Sequence, residues 1–212
     1  QRRCEASRAP LLPELVPQVI ALLPPVMACT AGAAAKVWPS PHLEREHLLT
    51  EAKDDVVDLA FLPDGERLVS VGARGTVTVW SLSALRPELV FTLSDNGACS
   101  ALDTQVFPDG ERVVTLMSNR RIYVWTVSTG EVLQNMSSPV EHQEVRVIHP
   151  GDRIATGLGV SSIDHSVLIW STSEGQVLHT LEHDDLVVAL DVSSFGEKIA
   201  TADRTTVFLW DV

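Results

Sequence analysis

The sequence predicts an all-β protein built from repeated units of four short antiparallel strands. Three observations carry that prediction. The five tryptophans, Trp38, Trp80, Trp125, Trp170 and Trp210, are spaced 42, 45, 45 and 40 residues apart, and the chain has no others. The turn Pro63-Asp64-Gly65-Glu66-Arg67 recurs unchanged at Pro108–Arg112, 45 residues on. Between these markers, turn residues alternate with short β-branched and aromatic runs, and no window sustains a helical period. A period of roughly 40–45 residues suits a unit of four short strands.

Each element follows in order within the unit. The turns at Gly65 and Gly110 have weaker copies at Gly151, in Pro150-Gly151-Asp152-Arg153, and at Gly196, in Phe195-Gly196-Glu197-Lys198. Asp or Pro starts such a bend and glycine supplies the positive φ that completes it. Each turn leads into a β-prone run: Leu68–Val71, Val113–Leu116, Ile154–Thr156 and Ile199–Thr201. A second turn follows, and then a strand closing on tryptophan: Thr76–Trp80, Ile122–Trp125, Val167–Trp170 and Val207–Trp210. Lys36-Val37-Trp38 fits the same slot. A polar turn and a further strand come next, as at Gly130–Leu133 and Gly175–Leu178, again 45 apart.

The Pro-Asp-Gly turn, the strand closing on Trp and one literal Trp210-Asp211 pair resemble the WD-repeat (WD40) family over most of residues 27–212. His183 falls where that family places a Gly-His, although Glu182 stands for the glycine. The resemblance implies a β-propeller of about five recognisable blades, held in part by a His, Ser/Thr, turn-Asp and Trp network within each blade. The turn Asp, six residues before Trp, is present as Asp164, whereas Arg74, Asn119 and Arg204 stand at the matching positions. The expectation is therefore that no blade shows the whole network and that apolar packing and ladder hydrogen bonds hold the blades. Because such rings usually close with seven blades, the chain reads as an incomplete ring, a fragment of a longer protein or one completed by a missing segment or partner. The Gly-Glu-Arg turns also resemble the propellers that follow a NACHT nucleotide-binding domain.

Residues 1–26 read as a degenerate N-terminal segment, strands of a divergent blade. Arg2, Arg3 and Arg8 before the apolar stretch Leu11–Ala35 give the outline of a signal peptide, the alternative reading. Glu14 and the prolines at 13, 17, 24 and 25 argue against it and exclude a membrane-spanning helix there. Cys4, Cys29 and Cys99 are odd in number and widely spaced, which points away from a disulfide framework and towards a reducing, cytoplasmic compartment.

A net charge of −12 disfavours nucleic acid and anionic membranes. Phosphate loops, nucleophile elbows and metal-ligand spacings of histidine or cysteine are absent from the sequence, so no cofactor, metal or catalytic residue is expected. The seven histidines read as turn or strand-edge residues, His183 excepted. The pairs Asp54-Asp55 and Asp184-Asp185 repeat by blade, which is a mark of architecture.

What remains is a surface. The resemblance implies one rim formed by the turns before the first strand and before the Trp strand. It carries Lys53, Asp54, Asp55, Ala73, Arg74, Gly75, Asp95, Asn96, Asn119, Arg120, Arg121, Asp164, His165, Asp184, Asp185, Asp203 and Arg204. Arg74, Asn119, Arg120, Arg121, His165 and Arg204 are the expected partner-binding residues, because guanidinium groups capture carboxylates and phosphates bidentately. The function expected is a non-catalytic protein-interaction scaffold or sensor module within a larger intracellular protein, taking an acidic or phosphorylated partner segment. The alternative is the substrate-recognition propeller of a ubiquitin-ligase assembly. A propeller enzyme is the third reading, and it would require carboxylates or histidines clustered at the axis beside a pocket.

Overall fold

A run such as Leu68-Val69-Ser70-Val71 sends apolar side chains to both faces of an extended chain, since successive residues point to opposite sides. Such strands need cover above and below. A computed structural model describes residues 26–30, 35–39, 47–49, 54–93, 99–158 and 165–212, the first three stretches by backbone alone apart from Leu49. The described residues form strands and turns without a helix.

Three four-stranded meanders make up the centre. The first comprises β4 (Val56–Phe61), β5 (Arg67–Gly72), β6 (Thr76–Ser81) and β7 (Arg86–Thr92). The second comprises β8 (Ala101–Val106), β9 (Arg112–Met117), β10 (Arg121–Thr126) and β11 (Val132–Ser137). The third comprises β12 (Glu144–Ile148), β13 (Arg153–Gly157), β14 (Ser166–Ser171) and β15 (Val177–Glu182). Before them lies a three-stranded sheet of β1 (Val26–Thr30), β2 (Ala35–Pro39) and β3 (His47–Leu49), with Trp38 on β2. After them comes another of β16 (Ala189–Val192), β17 (Lys198–Ala202) and β18 (Val207–Asp211). Every pairing is antiparallel between neighbours in sequence.

The core lies in the seams between sheets. Val69, Val71, Val77 and Val79 of one sheet pack against Val113, Met117 and Trp125 of the next. Val114, Leu116, Ile122 and Val124 pack on Val145, Ile154 and Trp170. Ala155, Val167 and Ile169 pack on Leu190, Ile199 and Trp210. Each of these tryptophans thus plugs the seam ahead of its own sheet, and Trp80 does the same beside Leu49. The first strands of successive sheets, β4, β8, β12 and β16, lie beside one another, so the sheets are arranged face to face around their inner edges in a propeller-like fold.

The Pro-Asp-Gly-Glu-Arg turns are copies in space as well as in sequence. Asp64 Oδ1 accepts the amides of Glu66 and Arg67 at 2.9 and 3.0 Å, and Asp109 does the same for Glu111 and Arg112 at 2.9 Å. Arg67 and Arg112 return an ion pair to the same carboxylate, and Gly65 and Gly110 both sit at φ 69°.

The expectation that no blade shows the whole network needs correction. Each of four indoles donates from Nε1 to a hydroxyl on the second strand of its sheet: Trp80 to Ser70 (2.8 Å), Trp125 to Thr115 (3.0 Å), Trp170 to Thr156 (2.9 Å) and Trp210 to Thr201 (2.8 Å). In two sheets a histidine joins: His183 Nε2 lies 2.7 Å from Thr201 Oγ1, and His142 Nδ1 lies 2.8 Å from Thr156 Oγ1. His183 Nδ1 donates to the Leu181 carbonyl at 3.1 Å, so in the neutral ring Nε2 accepts the Thr201 hydroxyl. His142, in the loop entering β12, is therefore a buried member of a network. The last sheet also has its turn acid. Asp203 accepts the amides of Thr205 (2.8 Å) and Thr206 (2.7 Å), which hold its carboxyl below the ordinary range with help from His183. This hairpin is one residue shorter than its counterparts in the first two meanders, with Thr201 nine residues before Trp210 where Ser70 is ten before Trp80, and Asp203 rather than Arg204 supplies the turn carboxylate.

Candidate functional site

The rim residues are positioned by turns between the second and third strands. In the first meander, the amide of Arg74 donates to Asp54 Oδ2 and that of Ala73 to the Asp55 carbonyl (2.8 Å), joining this turn to the segment entering β4. In the second, the Ser138 amide donates to the Arg120 carbonyl (2.8 Å) and Arg120 Nη1 to the Pro139 carbonyl (3.4 Å). In the third, the His183 amide donates to the His165 carbonyl at 2.8 Å. These turns therefore share one end of the molecule with the segments entering the inner strands. Arg74, Asn119, Arg120, Arg121 and Arg204 are exposed there, and His165 is half-buried. Lys53, Asp95, Asn96 and Asp164 lie outside the described residues, as do residues 1–25.

Arg120 stands out on backbone grounds. It occupies φ 65°, and the matching residue of the preceding sheet, 45 positions earlier, is Gly75 at φ 75°. A side chain in this left-handed region costs about 1 kcal/mol that glycine does not. Among the described residues, the arginine side chain makes one hydrogen bond, the long contact to Pro139. Arg121 Nη1 reaches Asn135 Oδ1 at 3.4 Å. Among the described residues, no carboxylate pairs with Arg74, Arg120, Arg121 or Arg204.

A second cluster, missing from the sequence reading, sits at the inner strands just below the rim. The residues preceding the partners of Ser70, Thr115 and Thr156 on the inner strands are Asp58, Asp103 and Glu144. A bulge on β4 and another on β8 set the first two in this place. Asp58 Oδ2 accepts the Thr104 amide of the next sheet at 2.7 Å. Asp103 Oδ2 accepts the Val145 amide of the sheet after that at 2.8 Å, and Arg146 Nη1 at 3.3 Å. Arg146 also pairs with Glu144. The signal was available: Asp58 and Asp103 are themselves 45 residues apart.

Burial pushes the Asp58 carboxyl up to about 6; the Leu59 and Thr104 amides oppose this, and the neighbouring Asp103 adds to it. Burial also raises Asp103, but the Val145 amide and the Arg146 guanidinium hold it back. Asp58 is thus the member of the pair that holds its proton to the higher pH. Asp103, Glu144 and Arg146 line a shallow depression that shares Leu102 and Gln143 with a second one, bounded by Arg120 and Met117. The rim arginine and the axial charges are in this way contiguous. No group of His, Cys, Asp and Glu among the described residues is arranged to hold a metal ion, and none of their helices is long and apolar enough to cross a membrane.

Residues 44–81 and 175–211 each match the family model described as WD domain, G-beta repeat. Both matches run from the outer strand of one sheet to the tryptophan strand of the next, ending at Ser81 and Asp211. Together they cover less than half of the chain and support a relationship to WD-repeat proteins. No curated protein matches the chain.

Proposed function

We propose that this protein is a non-catalytic interaction module, cytoplasmic and part of a larger protein, whose rim takes an acidic or phosphorylated segment of a partner protein. Arg120 carries the proposal. It is exposed, unpaired with any described carboxylate and kept in a backbone conformation where a sister blade uses glycine. Strain retained at a surface turn with no structural return points to use of the side chain. Arg121, Arg74 and Arg204 extend the cationic rim, with Asn119 and His165 as polar neighbours. WD repeats generally mediate protein–protein interaction, which agrees with this reading.

The test is paired affinity capture from extract, read by mass spectrometry, with an array of acidic and phosphorylated peptides alongside. One bait is the wild-type protein; the other carries Glu at positions 74, 120, 121 and 204. Loss of both captured proteins and peptides from the second bait, at an unchanged melting temperature, is the expected result. Identical capture by the two baits would sink the rim as the binding site.

One observation favours catalysis instead: carboxylates do converge at the axis beside a depression. Their bonding argues for architecture, since Asp58 and Asp103 each cap an amide of the following sheet, a role repeated by blade. Recognition of substrates for a ubiquitin ligase would use the same rim and differs only in what flanks it.

A further inference from the structure

The inner edge of each sheet exposes backbone amides that no strand pairs with, and the seam between sheets must satisfy them. Across the seam between β4 and β8, the Thr104 amide is shared by Asp58 Oδ2 (2.7 Å) and Asp103 Oδ1 (3.0 Å), which brings the two carboxyls together on one donor. Across the next seam, Asp103 takes the Val145 amide and meets Arg146, which Glu144 also holds. Among the described residues, these four charged or titratable groups are those that meet at the seam. Elsewhere, β5 carries only Arg67 and β9 only Arg112, each engaged by its own turn aspartate at the opposite strand end. On the other side of β4, β1 has Cys29 as its single titratable residue.

We propose that Asp58 and Asp103 form a proton-operated latch between two neighbouring blades. With one proton shared, Asp58 donates to Asp103 while still accepting the Thr104 amide, and Asp103 stays ionised for Val145 and Arg146. When the proton leaves, two carboxylates face each other across a half-buried seam, and the seam loosens. The segments entering β4 and β8 belong to the rim, so the latch ties the geometry of the rim to pH.

The sign follows from linkage. The folded state raises the Asp58 carboxyl from its ordinary 3.8 to about 6, so it binds the proton more tightly than the unfolded chain does. The stability from this pair is present at acid pH and is lost as pH rises through about 6. Asp58→Asn mimics the protonated acid: its carbonyl accepts the Thr104 amide and its NH2 donates to Asp103.

The test compares the full chain with D58N and D103N by thermal unfolding at about pH 5 and about pH 7.5, and by backbone amide exchange at Thr104. D58N is expected to match wild type at the lower pH and to melt roughly 2–6 °C higher at the upper one. D103N melts lower at both, having lost the charge that faces Arg146. Thr104 protection, corrected for intrinsic exchange, falls with rising pH in wild type and holds in D58N. Melting curves of wild type and D58N that run parallel in pH, or Thr104 protection that ignores pH in wild type, would overturn the latch.

Discussion

At the scale of single residues, Arg120 and the threonines beneath the tryptophans pull stability in opposite directions. Arg120→Gly relieves a left-handed side chain and should stabilise the fold by about 1 kcal/mol, measured by chemical denaturation. The same change should weaken partner capture, so stability gained and binding lost together would mark a residue kept for use. Thr201→Val makes the opposite prediction. Its hydroxyl joins His183 Nε2 to Trp210 Nε1, and removing it leaves two polar groups without that partner at a cost of about 1–3 kcal/mol. Ser70→Ala should cost less, because among the described residues Trp80 bonds to its hydroxyl and no histidine does.

At the scale of elements, the Pro-Asp-Gly-Glu-Arg turns are self-contained. One aspartate takes two amides and one guanidinium, and burial of Asp64 and Asp109 is outweighed by those contacts, which hold both carboxyls below the ordinary range. A depressed carboxyl stabilises the fold above its unfolded value and loses that contribution as pH falls through the folded one. These turns therefore weaken in acid, while the Asp58–Asp103 pair strengthens. Replacing Asp64 and Asp109 by Asn should lower stability at neutral pH by about 1 kcal/mol or less, since both groups are partly exposed and screened, and should flatten the acid limb of the stability curve. Such a turn is legible from a short stretch of sequence because all its partners lie within three residues.

At the scale of the whole molecule, stability resides in the seams, and among the described residues one sheet face meets no further sheet. In β18, Val207 is 76% and Leu209 66% exposed, whereas their counterparts Val77 and Val79 are 0% and 1% exposed and Val167 and Ile169 0% and 2%. An apolar sheet face of this kind promotes association. The 212-residue chain should accordingly self-associate as concentration rises, and Val207→Lys with Leu209→Lys should suppress this in light scattering without lowering the melting temperature.

Strands, turns and tryptophan slots were readable from the chain because each depends on near neighbours: alternation at a period of two, glycine at a left-handed turn and a marker repeated by blade. The cationic turns were readable for the same reason, as Arg74, Arg120, Arg121 and Arg204 sit in the loops the repeat marks. The axial cluster was not. Asp58 meets Thr104 and Asp103 meets Val145 only once separate sheets face one another, and bulges in β4 and β8 decide which residue arrives there. The bond of His142 gave no local signal because its partner Thr156 lies fourteen residues away on another element, and Asp203 was passed over because its hairpin is one residue shorter than its counterparts in the first two meanders. Local sequence carries what local geometry needs. Burial, protonation and contact across a seam belong to the assembled sheets, because the charges that set them come from distant parts of the chain.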